Sequence, residues 1–424
     1  MFMETLANIN FALGILLFIC YGYQIFYVFV PFFRQHRQHK YPIKKNRLAV
    51  LISARNEEVV IGNLLESINA QDYDRDLVKV FVVADNCTDG TARIARENGA
   101  CVYERNNKKL VGKGYALDWL LSRLKEDGYW DAIDGFLVFD ADNVLMPNYI
   151  SEMNKTFSDG FEALTSYRNS KNYGDNWISA GYGLWYLRES KYLHNSRMLM
   201  GTSCAISGTG FLVSKKLIEK YGGWKFFLLT EDIEFSICSV VNDIKIGYCE
   251  NAELYDEQPV TFSQSWKQRL RWAKGFFQVW RKYSGSLLKN IFYKKSFPSF
   301  DMTMNIMPAF LLTSTSLIVS IVAVIIGFFG LGDPAPVIKS LGGYLIFTYG
   351  FIAALGLFTT ITEWKKIHCP SWKKIFYVFT FPLFMFTYLP ISIVALFKKV
   401  KWEPTVHTRS RKLEDIVDDD RDKK

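Results

Sequence analysis

The chain has 424 residues with a formal net charge of +9, and 49% of its residues are hydrophobic. Its basic residues cluster at the ends of apolar stretches, where contact with anionic lipid headgroups explains them, so the charge does not indicate a nucleic-acid partner. Seven cysteines at irregular spacing, without a CxxC pair, fit free thiols in a reducing compartment better than a disulfide framework or a zinc site.

Four long stretches of the chain contain no charged residue, namely residues 5–33, 302–332, 340–362 and 375–397. Each exceeds the roughly 20 residues that a helix needs to cross a bilayer core. The charged residues fall instead in a central block, where short apolar runs alternate with polar turns as in a soluble α/β domain. This pattern predicts one membrane helix, a globular domain and then a membrane-associated C-terminal region.

The first apolar stretch is interpreted as a retained membrane span, because it lacks the basic n-region and small-residue cleavage site of a signal peptide and is too long for an h-region. Six basic residues follow it: Arg34, Arg37, Lys40, Lys44, Lys45 and Arg47. An excess of Lys and Arg beside a span marks the cytoplasmic side. The central domain is therefore predicted to be cytoplasmic.

Three apolar runs in the central block read as buried strands, at Leu48–Ser53, Val78–Ala84 and Gly135–Phe139. Between them lie segments with helical spacing, such as Val59–Asn69, and this alternation predicts a parallel, doubly wound sheet. Ligands of such sheets sit beyond the carboxyl ends of the strands. The polar clusters that follow the three runs are therefore the candidate site.

Asp140 and Asp142 follow the third predicted strand, one residue apart. Together with diphosphate oxygens, two carboxylates supply the hard oxygen ligands that Mg²⁺ or Mn²⁺ prefers. A DxD segment can also be an ordinary surface turn. Its position directly after a fully apolar strand favours the metal site.

Two further segments carry candidate side chains. Lys113 lies between two glycines at the start of a helical run, where a lysine and a helix N-terminus suit a phosphate or a sugar hydroxyl, although GKG could be only a turn. Thr230-Glu231-Asp232 follows an aromatic run and could equally be a helix cap, since Thr and Asp are favoured there.

The segment Gln268-Arg269-Leu270-Arg271-Trp272 opens a basic, aromatic helix. Gln268, Arg271 and Trp272 lie at i, i+3 and i+4, which places them on one helix face. That face offers an amide, a guanidinium for phosphate and an indole for stacking on a sugar or base. The opposite face suits the membrane surface.

Taken in order, the segments ARNEE, ADNCTD, GKG-AL, DAD, SGTG, TED and QRLRW resemble those of membrane-integrated, processive family 2 glycosyltransferases. The relatives concerned are cellulose, hyaluronan, poly-N-acetylglucosamine and bacterial mixed-linkage β-glucan synthases. The resemblance covers about Arg47 to Arg281 and implies a GT-A-type α/β domain inserted between transmembrane helices. It also implies a multi-pass protein of the bacterial plasma membrane.

The resemblance assigns the donor side of the site. Asp85 would contact the uridine of a UDP-sugar, with Glu57 and Lys113 also on the donor side. Asp142, helped by Asp140, would hold Mg²⁺ or Mn²⁺ on the diphosphate.

The acceptor side is assigned in the same way. Asp232 matches the general base that takes a proton from the acceptor hydroxyl. Residues matching the acceptor and pyrophosphate motifs are Gln268, Arg271, Trp272, Glu231 and Thr209. Several relatives carry a cysteine at the position of Ser207, so the resemblance leaves the identity of the acceptor open.

The expected reaction is inverting transfer from a UDP-sugar, with UDP-glucose preferred to UDP-N-acetylglucosamine, to the non-reducing end of a growing β-linked polysaccharide that is exported across the membrane. The alternatives are a transferase that adds one sugar to a membrane lipid and a transporter whose central domain only gates. The apolar stretches carry no internal charge of the sort that transport sites often need, which disfavours the transporter.

The expected organisation is a transmembrane helix at 1–33, a cytoplasmic GT-A domain at 46–285, interfacial and transmembrane helices at 286–400 and a charged tail at 401–424. The tail segment Lys401–His407 also resembles a tail motif of bacterial relatives, and residues 413–424 are expected to be solvated and disordered. Three crossings after a cytoplasmic domain would place the tail outside, yet basic residues follow the last stretch. One of the three C-terminal stretches is therefore expected to be interfacial or re-entrant.

Overall fold

A computed structural model of the chain describes residues 2–34, 41–330, 333, 335–405, 407 and 409–418. Arg37 and Lys40, which support the expected orientation of the first span, lie outside the described residues. In the described part, the strands are β1 (Leu48–Ala54), β2 (Val78–Asp85), β3 (Cys101–Arg105), β4 (Gly135–Asp140), β5 (Val144–Leu145), β6 (Ala163–Ser170), β7 (Phe211–Ser214) and β8 (Ile246–Asp256).

The helices of the described part are α1 (Phe2–Tyr21), α2 (Tyr23–Phe33), α3 (Ile61–Asn69), α4 (Thr91–Glu97), α5 (Lys113–Glu126), α6 (Tyr149–Ser158), α7 (Trp177–Arg188), α8 (Asn195–Met200), α9 (Lys215–Tyr221), α10 (Glu231–Val241), α11 (Phe262–Lys294), α12 (Phe297–Ile306), α13 (Pro308–Phe328), α14 (Ala335–Thr362), α15 (Ser371–Phe386), α16 (Tyr388–Phe397) and α17 (Leu413–Asp418). Between α7 and α8 the chain forms a π-helical turn, Glu189–His194.

The strands described form one sheet in the order β3-β2-β1-β4-β7-β6-β8-β5. The half made of β3, β2, β1 and β4 is parallel; the three predicted strands β1, β2 and β4 pair in parallel as expected, and β3 was not predicted. The prediction of a wholly parallel sheet is wrong, because β7 runs antiparallel to both β4 and β6, and β5 runs antiparallel to β8. Strand direction depends on which distant segments pair, and the local alternation of apolar runs carries no information about it.

Apolar side chains fill both faces of the sheet. One cluster of fully buried residues packs beneath α5, α7 and α9, and it includes Leu51, Phe136 and Val213. A second cluster packs beneath α3 and α6, and it includes Ile52 and Leu137. Since every side chain of β4 up to Phe139 is buried, the first polar group that this strand can present is Asp140, at its carboxyl end.

In the part of the chain that the structure describes, four apolar segments are long enough to cross a membrane: Glu4–Phe33, Leu311–Phe328, Ala335–Thr362 and Ser371–Phe397. Three of them follow the central domain. The last contains Pro382, breaks at Thr387 between α15 and α16, and has 39% of its most apolar window buried against protein, compared with 17% for each of the others. Its two helices pack on α7 and α11 of the central domain.

The C-terminal tail returns to the central domain after these helices. Trp402 lies over the guanidinium of Arg55, with 5.7 Å between the guanidinium carbon and the ring centroid. Further along, Ile416 is buried in a cluster with Val144 and Tyr255. The expectation that residues 413–424 are disordered and solvated is therefore wrong for α17, because the side chain of Ile416 packs on the β5–β8 edge of the sheet. Residues 419–424 lie outside the described part.

Candidate active site

The carboxyl ends of β1, β2 and β4 meet at one edge of the sheet, as their parallel register requires. Ser53 of β1 lies opposite Asp140 of β4, and Ala54 lies opposite Ala84 of β2. The strands end within one residue of their predicted ends, so Asp85 and Asp140 are the last residues of β2 and β4, the two strands that flank β1 in the sheet.

Lys113 joins Asp140 to the SGTG loop, which comprises residues 207–210. Its ammonium donates one hydrogen bond to Oδ1 of Asp140 at 2.5 Å and another to the carbonyl oxygen of Gly208 at 2.8 Å. On the other side of the loop, the Oγ1 of Thr209 accepts a hydrogen bond from the Asp140 amide at 2.9 Å. The loop is therefore tied to the end of β4 at two points.

The glycines on either side of Lys113 serve different purposes. Gly112 has φ of +135°, a conformation that L side chains rarely adopt. Gly114 allows close packing, because a Cβ atom there would lie 2.1 Å from the carbonyl oxygen of Phe226. The pair therefore fixes where α5 begins, and so fixes the position of Lys113.

Asp142 is 4% exposed and faces a histidine from the C-terminal tail. Its Oδ2 accepts a hydrogen bond from the amide of Glu257 at 2.8 Å and lies 3.9 Å from Nε2 of His407. The other imidazole nitrogen, Nδ1, is 2.9 Å from Oε2 of Glu57. Burial alone would lower the pKa of His407, but the carboxylates of Asp142 and Glu57 raise it to about 10.

These side chains fit a divalent cation by their chemistry. Once His407 has lost its proton to the solvent, its Nε2 and the Asp142 carboxylate oxygen, 3.9 Å apart, can both bind one ion at about 2.1 Å. A histidine ligand commonly donates its second N–H to a carboxylate, the position that Glu57 occupies. Within the described residues, no group of three or more His, Cys, Asp or Glu side chains is arranged as a complete metal site. The remaining ligands of a cation here would be diphosphate oxygens and water.

Asp85, at the end of β2, is 3% exposed. Its Oδ1 accepts hydrogen bonds from Arg105 and from the side-chain amide of Asn86. The carboxylate is thus held in a fixed orientation at the rim of the sheet by partners within the protein.

Glu231 and Asp232 open α10, close to the SGTG loop. A Cβ atom added to Gly208 would lie 3.9 Å from Oδ2 of Asp232, so the loop passes directly by this carboxylate. Burial, followed by the negative charge of Asp232, raises the pKa of Glu231 to about 7. Burial also raises the pKa of Asp232, and the positive charges of Lys113 and Arg271 oppose that rise.

The predicted face of α11 lies beside α10. Arg271 donates a hydrogen bond to the carbonyl oxygen of Leu229 at 3.0 Å. Trp272 packs edge-to-face with Tyr182, with ring centroids 5.8 Å apart. The side-chain oxygen of Gln268 is buried and has no hydrogen-bond partner among the described residues. An orphaned amide oxygen of this kind is a ready partner for a ligand hydroxyl.

Four residues near the site were not singled out by sequence reasoning. Arg168 donates hydrogen bonds to Asp256 and to the carbonyl oxygen of Ser207. The ammonium of Lys171 is buried near Asp142 and has no hydrogen-bond partner among the described residues. Arg269 bonds to Oγ1 of Thr387, which couples α11 to the break between α15 and α16.

The fourth residue is His407. Its only sequence signal was the resemblance of the segment 401–407 to a tail motif, because its partners Glu57 and Asp142 are hundreds of residues away in the chain.

Residues 46–275 of the chain match the family described as "Glycosyltransferase like family 2". The chain is 28% identical over 243 residues to the Beta-monoglucosyldiacylglycerol synthase of Synechocystis sp., and this alignment covers 56% of the chain and 49% of the relative. It is 25% identical over 235 residues to the Poly-beta-1,6-N-acetyl-D-glucosamine synthase of Staphylococcus aureus, with 55% of each covered. The chain thus spans about half the length of these relatives.

The mannosyltransferase PcManGT of Pyrobaculum calidifontis, solved in complex with GDP-Man and Mn²⁺, resembles the whole described structure. The superposition has a TM-score of 0.57 and covers 92% of this chain and 99% of the mannosyltransferase, with 17% identity. At this identity the likeness concerns the fold alone. The central domain has a GT-A-like α/β fold with a mixed sheet, flanked by apolar helices.

Proposed function

The chain belongs to glycosyltransferase-like family 2, and from this premise we propose that it transfers glucose from UDP-glucose to an acceptor hydroxyl with inversion at the anomeric carbon. UDP-N-acetylglucosamine is the second candidate donor. In this proposal Asp85 and Lys113 hold the donor, while Asp142 and His407 bind the divalent cation that accompanies it.

The observation that carries the proposal is the position of the SGTG loop between two sets of carboxylates. Lys113 ties Gly208 of the loop to Asp140 on the donor side. The same glycine lies against Asp232 on the other side. A sugar bound along this loop would meet the diphosphate side at one end and a carboxylate base at the other, which is the arrangement that in-line displacement needs.

Asp232 removes the proton from the acceptor hydroxyl as that oxygen attacks the anomeric carbon. Its raised pKa makes it a stronger base than an ordinary aspartate, and a carboxylate in this role typically contributes about 10²–10⁴-fold to the rate. Bound Mg²⁺ or Mn²⁺ neutralises charge on the leaving diphosphate. Arg271 lies near Asp232 and supplies further positive charge. Displacement from an α-linked nucleotide sugar gives a β-linkage.

For the acceptor, we propose the non-reducing end of a growing β-linked polysaccharide that is exported during synthesis. The helix face of Gln268 and Trp272 supports this choice, because an orphaned amide oxygen and an indole together can orient and stack on a terminal sugar. The second candidate is a membrane lipid, which the similarity to the cyanobacterial glucosyldiacylglycerol synthase favours.

We further propose a division into an N-terminal span at 1–33, a cytoplasmic GT-A domain at 46–285, interfacial and transmembrane helices at 286–400 and a cytoplasmic tail at 401–424, in a bacterial plasma membrane. The contact of His407 with Glu57 supports a tail and a domain on the same side. An even number of crossings must then separate them. The broken, more buried segment Ser371–Phe397 is the best candidate for the one that does not cross.

The test is to incubate the purified protein in lipid vesicles with each UDP-sugar and Mn²⁺, and to measure UDP release and product size. UDP release from UDP-glucose with a long carbohydrate product is expected. A singly glycosylated lipid would replace the polymer proposal with the lipid one. Absence of UDP release from every UDP-sugar would overturn the proposed reaction.

A further inference from the structure

The π-helical turn Glu189–His194 interrupts the long helical segment that runs from α7 to α8. Such single π turns are rare, and they are frequently found at functional sites because the inserted residue redirects neighbouring side chains. Here the turn begins with Glu189, a buried carboxylate that the proposed mechanism does not use.

Glu189 points toward the active-site loop. Its Oε2 accepts a hydrogen bond from Oγ of Ser207 at 3.0 Å. Ser207 immediately precedes Gly208, the residue that lies against Oδ2 of Asp232. Because consecutive Cα atoms are about 3.8 Å apart, the carboxylates of Glu189 and Asp232 lie at adjacent residues of the same short loop.

Glu189 has no lysine or arginine partner at ion-pair distance among the described residues. Nε2 of His194 lies 3.9 Å from Oε1, but burial keeps the pKa of this histidine well below its usual value. Arg168, Arg197 and Arg188 act on Glu189 through their charge. Arg168 is committed elsewhere, because its guanidinium bonds to Asp256 and to the Ser207 carbonyl oxygen. Lys191, on the same turn, pairs instead with Glu250 at 2.8 Å. The Glu189 side chain also retains 12% exposure, so it is not sealed from the site.

A carboxylate with one hydroxyl donor still has free lone pairs, and these accept hydrogen bonds from hydroxyl groups. We propose that Glu189 and Ser207 form an acceptor subsite that binds a second hydroxyl of the acceptor, next to the hydroxyl that Asp232 activates. The acceptor is then a neutral sugar with neighbouring hydroxyls, at the end of a glycan or on a glycolipid, rather than a molecule with a single hydroxyl. This inference rests on the proposed glycosyl transfer and specifies its acceptor.

The experiment compares the wild type with Glu189→Gln, which keeps the size of the side chain, and with Ser207→Ala, which keeps Glu189 itself. Transfer from UDP-glucose is measured to cellotetraose, to β-glucosyl-dioleoylglycerol in phosphatidylglycerol vesicles and to dioleoylglycerol in the same vesicles. The two sugar-bearing probes separate a glycan source from a glycolipid source. The control is Lys191→Met, on the same turn, because the Lys191 ammonium pairs with Glu250 and not with the loop.

Glu189→Gln is expected to raise KM for the preferred sugar-bearing acceptor by about tenfold or more, the usual effect of losing a hydrogen bond to a charged group. Mn²⁺-dependent UDP affinity and the slow hydrolysis of UDP-glucose without acceptor should stay at wild-type values. If Glu189 only maintained the structure, its replacement would lower both of these quantities as well. Ser207→Ala should raise the same KM. In the double variant, the increase in KM should be smaller than the product of the two single increases, because both residues bind the same hydroxyl. Lys191→Met should resemble the wild type.

Unchanged acceptor KM in both variants would overturn the subsite, and so would dioleoylglycerol being the best acceptor of the wild type. Equal losses of donor hydrolysis and acceptor transfer in Glu189→Gln would overturn it too, because they indicate general disruption. These results are distinct from a failure of the proposed function, in which the wild type itself releases no UDP.

Discussion

Gly275 of α11 lies directly against Thr230. This threonine precedes Glu231 and the candidate general base, Asp232. A Cβ atom at Gly275 would be 2.5 Å from both Oγ1 and Cγ2 of Thr230, a separation that real atoms do not adopt. We expect Gly275→Ala to push α10 away from α11 and to lower the transfer rate, while the protein stays folded.

The same helix supplies the control, because a Cβ atom at Gly285 would meet nothing within 4 Å. Gly285→Ala should keep full activity and gain about 0.5–1 kcal/mol of stability from the better helix former. Thermal unfolding and UDP release of both variants check this. Equal activity of the two variants would show that the close approach of the helices is unimportant.

Asp232→Asn should abolish transfer and leave UDP binding largely intact, because the change removes the base and keeps the size of the side chain. The expected loss is about 10²–10⁴-fold in kcat. Calorimetry with UDP and Mn²⁺ measures donor-side binding separately from turnover. Near-normal turnover would refute the role of this carboxylate.

The pH dependence follows from the pair Glu231 and Asp232. Burial raises the pKa of both carboxyl groups, and that of Glu231 reaches about 7. Since only the ionised base accepts a proton, kcat should fall as the pH drops through the raised pKa of Asp232. Glu231→Gln removes a negative neighbour, which lowers the pKa of Asp232, so the acid limb should move to lower pH. A pH–rate profile in which this limb stays in place would contradict the coupling.

Activity should require Mg²⁺ or Mn²⁺ and should be lost in EDTA. Asp142→Ala and His407→Ala should each weaken Mn²⁺-dependent UDP binding by about tenfold or more, because each removes a group that faces the candidate cation position. Glu403→Ala, in the same tail, removes only an exposed contact with Lys267 and should bind as the wild type does. Full activity in EDTA would rule out the metal site.

Trp272→Ala should shorten the product or stop its synthesis while UDP binding changes much less. Stacking of an indole on the terminal sugar is worth on the order of 1 kcal/mol or a little more, which changes the ratio of extension to release about tenfold. Trp272→Phe keeps an aromatic ring and should restore part of the length. Product size by gel electrophoresis provides the readout, and an unchanged length in Trp272→Ala would exclude stacking as the cause of processivity.

Local sequence patterns predicted β1, β2 and β4 of the parallel half, because each contains an apolar run that is followed by polar residues. They placed Asp140 at the end of β4 for the same reason. They missed β3, whose five residues include Glu104 and Arg105. The antiparallel position of β7 could not be predicted from local patterns. Phe211–Ser214 pairs with β4, which is far away in the sequence, and local residue patterns do not specify such a partner. Likewise, Glu189 has the sequence signal of an ordinary polar position of a helix, and only its hydrogen bond with Ser207 in the structure shows that it faces the loop.

The contact of His407 with the central domain also has a consequence for the order in which parts of the site are made during synthesis of the protein. The ribosome completes the apolar helices that end at Phe397 before the tail emerges. With His407 as part of the donor site, a nascent chain whose last membrane helices are still being inserted has an incomplete site. Under the proposed role of His407, the cation site is completed only after the last apolar helix of the chain has been made.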